Sequence, residues 1–247
     1  YELKPYMRQV LEAIVPIYIT LNKPKKLTKI LKILLISKPN NIPHLAALAD
    51  CQTSLNLPCD AVKIYKRTLI VDTNQPEIFF KLGNLSREGG NLDSAIKYYK
   101  KAIHSDPTNY SVYNNLGICD FELGDERTAL ANYKKAISIR PAYDGALGNI
   151  AAVKKRLGSI ESAIECFKKT FCINPENSES LCNFKSLITQ IGFCLEGPLQ
   201  DSFIISQMRR SSISGHPYFL MNEAIRGCLE GDLSLIKKNL ELLSKCH

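Results

Sequence analysis

The sequence predicts an all-α protein, a right-handed α-solenoid of stacked helical hairpins, and three observations carry the prediction. Segments 42–75, 76–109, 110–143 and 144–177 align on a period of 34 residues without a gap, and a fixed period of this size marks stacked supersecondary units. Inside each segment the same two packing signatures recur. One is a large apolar residue followed by a very small one, at Leu48-Ala49, Leu82-Gly83, Leu116-Gly117 and Ile150-Ala151. The other is an alanine with an aromatic one helical turn later, at Ala61/Tyr65, Ala95/Tyr99, Ala129/Tyr133 and Ala163/Phe167, where both side chains share a helix face. Finally, 45% hydrophobic residues with only 12 prolines and 13 glycines describe a folded chain, neither disordered nor collagenous.

Residues 1–41 are expected to form a degenerate N-terminal capping hairpin. Segment 8–41 keeps the frame through Leu11, Ile14, Leu27, Leu31 and Pro39, and Pro16 is predicted to kink or shorten its first helix. In each of the four regular repeats the small residue of the first helix admits a neighbouring helix. A break follows at Asn56, Gly90, Gly124 and Gly158, residue types that tolerate the left-handed conformation ending a helix. Asn91, Asp125 and Ser159 then stand where a side-chain oxygen can cap the second helix, while the first repeat has Leu57 before a proline start at Pro58. The alanine of the second helix receives its neighbour and the aromatic fills the gap; Ala102 and Ala136, or Thr68 and Thr170, follow at the next turn. Pro107, Pro141 and Pro175 stop the helix, with Thr73 in their place in the first repeat.

Residues 178–213 read as a degenerate repeat and linker: the frame continues through Leu181, Phe184 and Gly192 and fails at Gly197-Pro198. A less regular helix is expected over 199–209 and a linker over 211–217. Residues 214–247 are expected to form a C-terminal capping hairpin, with a break at Gly231-Asp232, because the terminal units of a solenoid are atypical.

This order of small, glycine, alanine, aromatic and proline places closely resembles the tetratricopeptide repeat family, over four consecutive repeats. Phe79 and Tyr113 also keep the aromatic near the start of the family's first helix, where Leu45 and Leu147 stand in the outer repeats. The resemblance implies that the first helices line a concave face that holds a protein or extended peptide. Lys81, Asn84, Asn115, Asn149, Arg156 and Asn183 form the predicted partner-binding set, within a lining that also includes Glu77, Phe80, Gly148, Ala152 and Ser186. Asn115, Asn149 and Asn183 recur at the sixth place of three consecutive repeats. Asparagine is a mediocre helix former, so propensity does not explain them. They can bond a neighbouring helix, or pair with a peptide backbone as donor and acceptor at once. The row is similar to the asparagine ladder of serine/threonine O-linked glycosyltransferases. Family members that clamp the C-terminal carboxylate of chaperones use lysine, asparagine, asparagine, lysine and arginine, and the matching places here hold Phe80, Asn84, Asn115, Gly145 and Asn149. All three cations are missing, so no chaperone-tail clamp is expected.

Other chemistry was sought along the chain. No nucleotide loop, GxSxG elbow, HExxH helix or acidic metal cluster occurs, and His104-Ser105-Asp106 are too close in sequence to aim at one another as a triad. The segment is therefore expected not to be an enzyme and to need no cofactor or metal. Tyr1 is not a start methionine, so the sequence reads as a segment, and a catalytic domain outside it, with this array as its substrate-selecting or assembly arm, is the alternative function. Of the net charge of +8, part is periodic: Lys66-Arg67, Lys100-Lys101, Lys134-Lys135 and Lys168-Lys169 recur once per repeat. They read as a solvated convex stripe rather than a nucleic-acid surface, since no base-stacking aromatics accompany them. Arg209-Arg210-Ser211-Ser212 reads as ordinary polar linker. No membrane span or signal peptide is visible, and nine cysteines without metal spacing read as reduced core thiols of a cytoplasmic protein. Partner identity and oligomeric state are not encoded in any motif.

Overall fold

The structure, a computed structural model, describes residues 4–174 and 176–194, without the side chains of 185 and 188–194. Among the described residues there are eleven α-helices and no strand. The chain divides into two compact units, residues 1–119 and 120–247. The N-terminal unit holds α1 (Pro5–Thr20), α2 (Pro24–Ser37), α3 (Ile42–Ser54), α4 (Pro58–Val71), α5 (Pro76–Glu88), α6 (Leu92–Ser105) and most of α7 (Tyr110–Glu122). The C-terminal unit holds the end of α7, then α8 (Glu126–Ile139), α9 (Asp144–Arg156), α10 (Ile160–Ile173) and α11 (Ser178–Cys194).

The helix ends follow from the sequence. Asn56, Gly90, Gly124 and Gly158 have φ of 59°, 76°, 84° and 74°. Each left-handed residue lets the next N–H turn back to a carbonyl five residues earlier: Leu57 to Gln52, Asn91 to Ser86, Asp125 to Asp120 and Ser159 to Lys154, at 2.8–2.9 Å. These are the bonds that satisfy orphan carbonyls at a helix end. Asn22, with φ of 48°, does the same in the first hairpin through Lys23 N to Tyr18 O at 3.2 Å. It stands 34 residues before Asn56, a signal the sequence reading passed over. Asn91 and Asp125 cap α6 and α8 by accepting from Ser94 N and Thr128 N at 2.9 and 3.0 Å. Ser159 makes no such bond, and α10 starts without a side-chain cap. Proline opens α1, α2, α4 and α5, where its missing N–H has no intrahelical partner to lose. At the far ends, α6 and α8 stop before Pro107 and Pro141 with Asp106 and Arg140 extended, as a residue before proline must be. Pro175 lies outside the described residues.

Two helices differ from expectation. α1 continues past Pro16 to Thr20 and is not shortened by it; proline removes the bond to the carbonyl of Glu12, and both residues are exposed, where the lost bond is least costly. α11 passes Gly192 and reaches Cys194, 17 residues against 13 in α3, α5, α7 and α9, since glycine permits a left-handed turn without enforcing one. The expected linker and C-terminal hairpin, with Gly197-Pro198 and Arg209-Arg210-Ser211-Ser212, lie outside the described residues.

The predicted packing places form the cores. Ala61, Ala95, Ala129 and Ala163 are fully buried, as are the aromatics Tyr65, Tyr99, Tyr133 and Phe167. In the N-terminal unit Leu27, Leu31, Leu48 and Cys51 form one cluster, Ala49, Ala61, Tyr65, Ile78 and Leu82 a second, and Phe79, Ala95, Tyr99, Ala102, Val112, Leu116 and Cys119 a third. The small residue after the large one has a visible purpose at Gly83: a Cβ there would lie 2.6 Å from Tyr99 Cδ1, inside the ring's contact distance. In the C-terminal unit Phe167, Phe171 and Phe184 pack together, with Phe184 edge-on to both others at 5.5 and 6.0 Å between ring centroids. Edge-to-face contact of this kind suits the aromatic quadrupole.

Candidate functional site

The predicted partner residues do not stand as isolated side chains. In the N-terminal unit they belong to two polar relays that join successive first helices. The ninth place of one repeat meets the sixth place of the next, and the aromatic of the second helix closes the contact from below. In the first relay Lys81 on α5 donates from Nζ to both oxygens of Asp50 on α3, at 2.8 and 2.9 Å, and pairs with Glu77 at 3.0 Å. The Tyr65 hydroxyl donates to the same Asp50 carboxylate. Burial works against the Lys81 ammonium, but Asp50 and Glu77 outweigh it and hold its pKa above the ordinary lysine value. Burial, then Asp50, pushes the Tyr65 phenol well up. Lys81 is thus tied into an ion cluster within the chain.

In the second relay amides replace the ion pair, and while burial raises the Tyr99 phenol pKa, the nearby Arg87 guanidinium acts to lower it. Asn84 Oδ1 on α5 accepts from Tyr99 OH and from Asn115 Nδ2 on α7, both at 2.8 Å. Asn115 Oδ1 accepts in turn from Asn114 Nδ2 at 3.3 Å, and Asn114 is buried. Burial pushes the Tyr99 phenol up to about 12, so its proton stays available to the relay. Two donors on one oxygen fix the Asn84 amide, and its Nδ2 makes no hydrogen bond among the described residues. Asn84 and Asn115 are both half-buried, which leaves that amide edge accessible. The signal of the two relays in the sequence is a polar ninth place with tyrosine fifteen residues on, at Asp50/Tyr65 and Asn84/Tyr99, beside the sixth-place asparagines.

The remaining predicted residues lie in the C-terminal unit. Asn149 is 9% exposed, and Gly148 and Ala152 beside it are buried as well. These three line the packing of α9 rather than an open face. Gly148 is needed because any Cβ there would overlap the Ser180 hydroxyl on α11. Arg156 lies over the Phe121 ring, with Cζ 3.7 Å from its centroid, donates to the Phe121 carbonyl at 2.9 Å and pairs with Glu126 at 2.7 Å. Its guanidinium is therefore committed to the end of α7 and the start of α8. Asn183 is half-buried, and its carbonyl accepts from Lys155 at 3.5 Å, while Lys155 also donates to Ser186 Oγ at 3.2 Å. Lys155 was not among the predicted residues; burial lowers its pKa. The structure thus brings Lys81, Asn84 and Asn115 into relays in one unit and places Asn149, Arg156 and Asn183 in separate surroundings in the other.

Helical hairpins on a 34-residue frame, each closed by a left-handed turn and an alanine–aromatic pair, define the α-solenoid class. Residues 83–124 match the family model described as TPR repeat and residues 110–143 the one described as tetratricopeptide repeat. Residues 83–143 of the chain thus carry tetratricopeptide repeats. The crystal structure of MamA is similar over 67% of this chain and 97% of that chain, at 25% identity and a TM-score of 0.61. PilW, a widely conserved type IV pilus biogenesis factor, is similar over 98% of this chain and 94% of its own, at 18% identity and a TM-score of 0.65. YrrB, a TPR protein with an unusual peptide-binding site, is similar over 68% of this chain and 87% of its own, at 15% identity and a TM-score of 0.57. No curated protein matches the chain in sequence. Among the described residues no helix is long and apolar enough to cross a membrane.

Proposed function

We propose that this protein is an interaction scaffold that holds an extended peptide or protein segment along the face of its first helices. The observation that carries the reading is the Asn84–Asn115 pair: an amide oriented by Tyr99 and Asn115 presents an unused N–H edge at a half-buried position. A donor fixed by its neighbours loses little freedom on binding, and a peptide carbonyl is the acceptor that every extended partner offers. Asn183, on α11, is the further amide of the predicted row with room for a partner. The family and the peptide-binding neighbour YrrB support the same reading by analogy. The described cysteines are all free, three of them exposed, which fits a reducing compartment.

The test is selection of binders from a random peptide array on the intact chain, followed by titration of the strongest. Asn84→Ala should weaken that peptide about tenfold or more while Glu88→Ala, at an exposed end of the same helix, leaves it unchanged. Equal affinity of Asn84→Ala and the parent for every selected peptide would place the partner elsewhere.

A further inference from the structure

The second helices of the N-terminal unit carry a groove that the first-helix face does not use. It lies between α4 and α6 over the start of α5, with a volume of about 530 Å³. Leu69 and Phe79 form its apolar floor, and Lys100, Lys101 and His104 stand along one wall, with no acidic side chain in the lining. Lys100, Lys101 and His104 are exposed. Neither lysine makes an ion pair among the described residues; Lys101 Nζ sits 5.6 Å from the centre of the Phe79 ring.

The preceding repeat shows how the same places close. There Arg67, in the place of Lys101, donates to the carbonyl of Pro39, in the place of Thr73, at 2.7 Å. Ile70 stands where this repeat has His104. The guanidinium ties the second helix to the preceding connection and removes its charge from the opening. Lys101 makes no such tie, so in this repeat two ammonium groups and an imidazole surround a groove whose apolar floor is the half-buried Leu69 beside the nearly covered Phe79.

We propose that this groove binds an acidic peptide segment of a partner protein, an aspartate- or glutamate-rich stretch with one large apolar side chain. The apolar side chain seats on Leu69 and Phe79, and the flanking carboxylates meet Lys100, Lys101 and the His104 N–H. Cations without acidic neighbours are the complement of such a segment. A nucleic acid fits less well: Phe79 is only 9% exposed and lies under Lys101, so it offers no face on which a base can stack.

The test uses the full chain and a fluorescein-labelled synthetic peptide in which glutamates and aspartates surround a single phenylalanine. The same peptide with amides for carboxylates and a thymidine oligonucleotide serve as comparisons. Reversal at Lys100→Glu with Lys101→Glu is expected to weaken the acidic peptide about tenfold or more, against less than about twofold for Lys134→Glu with Lys135→Glu, the same places one repeat on. The amide peptide should not bind, and Asn84→Ala should leave binding unchanged, which separates this groove from the first-helix face. Thermal melting checks that the reversed protein folds; if it does not, Lys100→Ala with Lys101→Ala replaces it in the same comparison. Absence of binding, equal loss at the two lysine pairs, or an oligonucleotide that binds more tightly than the peptide would each overturn the proposal.

Discussion

The two compact units build hairpins on the same frame but close them with different chemistry. In the N-terminal unit a polar ninth place, Asp50 or Asn84, receives a tyrosine hydroxyl from its own second helix and a donor from the next first helix. In the fourth repeat, within the C-terminal unit, the ninth place is Ala152 and the aromatic is Phe167, which packs edge-on against Phe184 of α11 at 5.5 Å. The third repeat sets Tyr133 with Ile118 at the ninth place, so tyrosine also occurs there without a polar ninth residue. An unpaired buried hydroxyl is costly, and the Tyr65 and Tyr99 rings are fully buried, so Asp50 and Asn84 serve them as acceptors. The frame fixes where side chains meet, and this pair decides whether the meeting is polar. Of the two polar ninth places, Asn84 is the one that keeps an N–H beyond these bonds.

The largest effect is expected where the units differ in steric tolerance. Gly83→Leu must displace the Tyr99 ring that already fills the space of a Cβ, and should cost about 3 kcal/mol, read in denaturant melts. At the same place in the C-terminal unit stands Ala151, also buried, so Ala151→Gly should cost only about 1 kcal/mol through helix propensity. Equal costs would mean that the two aromatics pack alike.

Next in size is Asp50→Ala, which deprives Lys81 and the Tyr65 hydroxyl of their shared acceptor. A hydrogen bond to a charged group supports about 2 kcal/mol here. Lys81 keeps Glu77, so restoring stability with Asp50→Ala plus Lys81→Met would show that the unpaired ammonium, and not lost packing, was the damage.

The smallest stability effect, about 1 kcal/mol, is expected for Tyr99→Phe, since Asn84 retains its bond from Asn115. Its sharper signature is pH dependence. The Tyr99 phenol is raised by burial from its ordinary 10.0 to about 12, so the protonated folded state is favoured over the unfolded chain. That contribution is fully present below pH 10.0 and is lost as the pH rises from there towards about 12. Tyr65 and Lys81 are shifted upward too and act in the same direction. Thermal melts of the parent should fall across this range, and those of Tyr99→Phe should fall less; an identical alkaline loss would assign it to other groups.

Much of the fold was legible because each repeat restates it. The breaks at Asn56, Gly90, Gly124 and Gly158 and the buried Ala–aromatic pairs stand where the period puts them, since both depend on backbone geometry and volume alone. Pro16 does not shorten α1 and Gly192 does not end α11, because an exposed proline costs a helix one bond and a glycine permits a left-handed end without enforcing it. The candidate site was less legible. Register identified Lys81, Asn84 and Asn115, but whether a polar side chain faces a partner or a neighbouring helix depends on what lies across the groove. Lys81 met Asp50, Arg156 met Phe121 and Glu126, and Asn149 became buried. Those neighbours lie about one repeat away in sequence, beyond the reach of a single helix pattern.

The central claim is that the Asn84 amide serves a partner while its oxygen serves the fold. Asn84→Asp separates the two, because the carboxylate keeps the acceptor for Tyr99 and Asn115 while a negatively charged oxygen, which repels a peptide carbonyl, replaces the Nδ2 donor. The measurement is the affinity of the variant for the array-selected peptide, taken beside its melting temperature. The account predicts a melting temperature no lower than that of the parent and an affinity weaker by about tenfold, or 1.4 kcal/mol. Unchanged affinity with intact stability would contradict it and leave the amide as scaffold alone.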